Sequence, residues 1–103
     1  EMCIRDRDAA SLRRALTDDE AAPIYVTLDL DLLDPAYLPG TGTPEPGGID
    51  WKNMEELLAA VPWQRVVACD VVELAPELDP SGCSSILAAK VVREILLSLP
   101  SLP

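Results

Sequence analysis

Histidine is absent from all 103 residues, which removes imidazole ligands, histidine general bases and every histidine triad from what this chain does alone. Cysteine is scarce and odd in number. Cys3, Cys69 and Cys83 make no CxxC spacing, so neither a disulfide framework nor a thiolate zinc site is indicated, and they read as small apolar residues in a reducing compartment. No stretch has the charged start, apolar middle and small-residue cleavage site of a signal peptide, which makes the cytoplasm the expected location. Basic residues are few, 8 against 18 acidic, and a formal charge of -10 disfavours nucleic acid and anionic membrane surfaces as partners while suiting cations. No apolar run is long enough to cross a bilayer.

What is present points to a folded α/β chain. Apolar residues make up 49% of the sequence, too much for disorder, and the length suits one small domain. "DRDAASLRRALT" (6–17) spaces Leu12 and Leu16 as on an amphipathic helix. "IYVTLDL" follows Pro23 as a strand, predicted over 24–30 and apolar enough on both sides to want cover on two faces. The segment "DPAYLPGTGTPEPGG", with four prolines and four glycines, cannot sustain regular structure. Asp50 is placed to cap a helix through "WKNMEELLAAV", whose apolar stripe is Met54, Leu57, Leu58 and Val61, and Pro62 ends it. A second strand is predicted over 66–73. A long helix from Ser84 to Leu99 then carries Ile86, Ala89, Val92 or Arg93, and Leu96 at helical spacing. The order contains one right-handed βαβ crossover, so the two strands should run parallel. Two strands make a poor sheet by themselves, and we expect the chain to be a fragment of a three-layer α/β/α domain with a mainly parallel sheet.

Chemistry concentrates in "YVTLDLDLLDP", where Asp29, Asp31 and Asp34 fall just as the apolar run ends. In a continuing strand Asp29 and Asp31 would share a face about 6–7 Å apart, and two like charges so close call for a cation between them. Carboxylates at strand ends also simply face water or cap the next segment. The carboxyl end of an open α/β sheet is where ligands bind, and the second strand brings Asp70 and Glu73 late in its own length.

The stretches "YVTLDLDLLDPAYLPGTGTPEPGGIDW" (25–51) and "VVACDVVELAPELDPSGCSSILAAKVVREIL" (66–96) resemble, in order and spacing, the carboxyl-terminal part of the ureohydrolases, the arginase and agmatinase family. "GTGTPEPGG" is nearer to agmatinase, since Glu45 and Pro46 stand where arginases usually have apolar residues. The resemblance implies an arginase-like fold and a two-Mn²⁺ centre that deprotonates a water for attack on a guanidinium carbon, releasing urea. It implies that Asp29 bridges both ions, that Asp31 ligates the second, that Glu73 receives the guanidinium, and that the Thr43 hydroxyl positions Glu73 or the substrate. The partners it implies are a small cationic guanidino substrate, most naturally agmatine, and further copies of the full-length protein in a homo-oligomer. Asp70 reads as a hydrogen-bonded support for the ligands. Asp34 reads as a brace for its turn, with a third-ligand role as the alternative.

The family's histidine-bearing ligands and acid/base histidine have no counterpart here, so residues 9–103 are expected to be the carboxyl-terminal part of one catalytic domain, inactive alone. "MCIRDR" (2–7) resembles a translated sequencing adapter, and residues 1–8 are expected to be a non-native leader. Two rivals share parts of the pattern: an Asp-x-Asp glycosyltransferase, which lacks its nucleotide-binding half here, and a noncatalytic ureohydrolase-like subunit. An arginase or a guanidino-acid hydrolase is the alternative within the family.

Overall fold

The computed structural model describes residues 8–17 and 21–101; the proposed leader lies almost entirely outside them. Helix α1 (Ala9–Thr17) starts where Asp8 accepts the Ala10 amide at 2.9 Å and the Ser11 hydroxyl at 3.0 Å. It lies against helix α2 (Trp51–Ala60). The Arg65 side chain fastens its far end, donating to the carbonyls of Leu16 (2.7 Å) and Ala22 (3.0 Å).

Strands β1 (Ile24–Asp29) and β2 (Val66–Val72) pair in parallel, with Thr27 opposite Asp70 and Leu28 opposite Val71. Both stop one residue short of the predicted ends, for local reasons. The Asp29 carboxylate accepts the Asp31 amide at 3.0 Å and so caps a 3-10 turn over Leu30–Leu32, while Glu73 adopts φ 72°, which breaks the ladder.

One core forms on one side of this sheet. Leu28, Leu30, Leu33, Leu38 and Ile49 meet Met54 and Leu58 from α2, Trp63, and Ala88, Val91 and Ile95 from α3 (Cys83–Ser98). The expected cover on both faces is met on one only among the described residues: Tyr25 and Thr27 on the opposite face are exposed. Asp50 caps α2 as expected, accepting the Asn53 amide at 2.8 Å, and Lys90 of α3 sits 4.2 Å from the centre of the Trp51 ring, tying the two helices.

The face of α3 differs from expectation. Ser84, Ala88, Val91 and Ile95 are buried, whereas Ile86 (72% exposed) and Leu96 (62% exposed) point outward. This helix is apolar nearly all round, so periodicity alone does not choose its inner face; the Ser84 hydroxyl, bonded to Asp79 and to the Gly40 amide, sets the phase.

The proline- and glycine-rich segment forms a loop closed at its base. Asp34 N donates to Ile49 O (3.0 Å) and Ile49 N to Leu32 O (2.9 Å), while the Asp34 carboxylate accepts the amides of Ala36 and Gly47, both at 2.9 Å. Gly48 lies so close to the backbone of Leu33 and Asp34 that a Cβ there would collide with it. The loop is therefore a built element with buried anchors in Leu33, Leu38 and Ile49.

Candidate metal and guanidinium site

Because the strands are parallel, both deliver their last residues to the same end of the sheet. Asp29 ends β1, Asp31 sits in the 3-10 turn it caps, and Glu73 follows β2 directly. The loop supplies Thr43, whose hydroxyl donates to Asp31 Oδ2 at 2.7 Å. Asp29 and Asp31 are thus neighbours through a capped turn, not through the alternation of a continuing strand. Partial burial raises the Asp29 carboxyl above its ordinary value; the Asp31 amide opposes this, while a side-chain hydrogen bond with Asp31 and then the charges of Asp31 and Glu73 add to the rise. These three acids share one electrostatic neighbourhood.

Asp29 Oδ1 is held by the Asp31 amide and Asp31 Oδ2 by Thr43, and the two carboxyl groups also lie within hydrogen-bonding reach of each other. Among the described residues no three acids, cysteines or histidines converge closely enough to hold a metal ion.

Asp70 and Asp34 are used otherwise. Asp70 accepts the hydroxyls of Thr27 (2.6 Å) and Tyr25 on the open sheet face, so these bonds go to neither Asp29 nor Asp31, the ligands it was expected to support. Asp34 has both oxygens turned to loop amides, which favours the brace over the third ligand. Sequence reasoning passed over Asp79 and Ser84, treated as ordinary turn and helix residues. "DPSG" does carry the signature of an Asp-initiated turn, but the link that Ser84 makes to Gly40, 44 residues earlier, leaves no local trace.

A sequence profile of the arginase family matches residues 3–98. The chain belongs to the arginase family. It is 45% identical over 91 residues to an agmatinase of Halalkalibacterium halodurans, covering 86% of this chain and 32% of that protein. It is also 45% identical over 78 residues to the mitochondrial guanidino acid hydrolase of Homo sapiens, covering 76% of this chain and 22% of that one. The solved proclavaminate amidino hydrolase of Streptomyces clavuligerus superposes with a TM-score of 0.74 at 37% identity, over 85% of this chain and 30% of that structure. The family member described here therefore spans about a third or less of these relatives, and its two parallel strands and three helices have the α/β arrangement of the arginase-like fold.

Proposed function

We propose that the full-length protein is a manganese-dependent ureohydrolase that splits a linear guanidino compound, agmatine foremost, into urea and the corresponding amine, putrescine. The observation that carries this reading is the meeting of Asp29, Asp31, Thr43 and Glu73 at one end of a parallel sheet in an arginase-family chain. Carboxylate oxygens suit a hard ion such as Mn²⁺, and Asp29 and Asp31 would supply two of the ligands that hold it. The remaining ligands come from outside these residues. Two such ions, when bound, make a water acidic enough to deliver hydroxide near neutral pH. Glu73 binds the planar guanidinium through paired charge-assisted hydrogen bonds and turns its carbon toward the carboxylate pair. Thr43 holds Asp31 in one orientation through its bond to Oδ2.

A guanidino acid is the second substrate reading, favoured by identity to the human guanidino acid hydrolase equal to that shown with an agmatinase. Urea release by the manganese-loaded full-length protein, measured side by side on agmatine, arginine, guanidinobutyrate and guanidinopropionate, tests both. Preference for agmatine is expected; preference for a guanidino acid selects the second reading, and no urea from any of them defeats the hydrolase assignment. Cytoplasmic location and a homo-oligomeric state complete the proposal, and no helix among the described residues is long and apolar enough to cross a membrane.

A further inference from the structure

Asp79 is 7% exposed and plays no part in the chemistry just described, yet it accepts four hydrogen bonds. Ser81 gives its amide (3.1 Å) and hydroxyl (2.6 Å) to Oδ1, and Ser84 gives its amide (2.8 Å) and hydroxyl (2.5 Å) to Oδ2. An ionised carboxylate only accepts, so the Ser84 proton is committed to Asp79 and the lone pairs of Ser84 Oγ face the other way. There they receive the Gly40 amide at 2.8 Å, in a fully buried contact. Gly40 is also held from its carbonyl, which accepts the Ala75 amide at 2.7 Å. It has no room for a side chain, since a Cβ would stand 2.7 Å from Ser84 Cβ.

Gly40 lies three residues before Thr43, and Ala75 lies two residues after Glu73. One backbone unit thus joins the loop that carries the hydroxyl, the segment that carries the guanidinium-binding acid, and the start of α3. We infer that Asp79 is a positioning residue: acting through Ser84 and Gly40, it sets the Thr43 loop against Glu73. The inference rests on the ureohydrolase reading for its functional consequence, and on the Gly40 contacts for its mechanism. A role confined to capping α3 would end at the amides of Ser81 and Ser84. The hydroxyl relay to Gly40 goes beyond it.

The test uses the full-length protein as wild type, Asp79→Asn, Ser84→Ala and Ser84→Cys, the last keeping nearly the same shape with a poor acceptor. Amide hydrogen exchange at residues 40–43 is expected to quicken about tenfold or more in each variant, with amides in the middle of α2 unchanged. Unchanged protection at Gly40 in folded Asp79→Asn or Ser84→Cys overturns the relay. On the same proteins, kcat/KM for the preferred guanidino substrate is expected to fall about tenfold with Ser84→Ala in the wild-type background and to change little when Thr43 is already alanine, because coupled residues are not additive. Equal losses in both backgrounds overturn action through Thr43. A wild-type protein that hydrolyses no guanidino compound defeats the functional reading instead, and exchange at Gly40 still decides the relay.

Discussion

Glu73 holds φ at 72°, a backbone state that costs a residue with a side chain about 1–2 kcal/mol. Glycine would adopt it freely, and under the proposed function the strain is borne for the Glu73 carboxylate. Glu73→Gly in the full-length protein should leave urea-unfolding stability unchanged or raise it by up to about 1 kcal/mol while abolishing guanidino hydrolysis. Glu73→Gln should lose most activity with no such gain, and a marked loss of stability in the glycine variant would refute the strain argument. At Asp29, replacement by Asn should remove bound manganese and activity together, because a neutral amide neither bridges two cations nor offsets their charge; metal analysis showing both ions retained would end the bridging role. All four proposed site residues were legible as letters, since oxygen donors recur in a long and distinctive pattern. Their geometry was less so. A carboxylate at Asp29 that captures the amide two residues on ends its own strand, and that competition between ladder and cap is not written in the alternation of apolar residues.

Helix α3 shows where element-scale reading fails and why. Residues 85–97 are apolar on several sides, so the hydrophobic period fits more than one rotation, and the inner face is chosen by a polar contact at Ser84 that comes from a distant loop. Helix α2 was readable because one side is charged and Asp50 marks its start. Asp50→Ala should destabilise the protein by about 1 kcal/mol in urea unfolding, the ordinary cost of a lost cap. The start of α3 depends on pH as well. Hydrogen bonds from Ser81 and Ser84 hold Asp79 down at about 2, below its usual 3.8. A depressed carboxyl stabilises the fold fully above its unfolded value and loses that contribution as pH falls from near 3.8 toward 2. Acid unfolding followed by circular dichroism should therefore steepen in this window, and Asp79→Asn, already less stable at neutral pH, should show a flatter acid limb there.

Across the whole molecule, the parallel pairing and the crossover were legible because an α/β order leaves few topologies open. Cover on both faces was not, since a strand pattern states what it needs and not whether the same 103 residues supply it. Tyr25 (60% exposed), Val67 (71% exposed), Ile86 and Leu96 leave apolar surface uncovered beside a two-stranded sheet. The 103-residue chain alone is expected to self-associate in sedimentation, to bind Mn²⁺ weakly and to release no urea; a compact soluble monomer would contradict the first expectation. The loop over the site carries its fixed points at its two ends, Gly40 clamped to α3 and Gly48 against Asp34, while residues 42–47 between them are exposed. Apart from Thr43, tied to Asp31, and Gly47, whose amide Asp34 accepts, letters that hold the loop are thereby separated from letters that face whatever lies above it. Such a partition makes the tip a replaceable segment: exposed letters such as Glu45 and Pro46 can be exchanged without renegotiating the scaffold beneath.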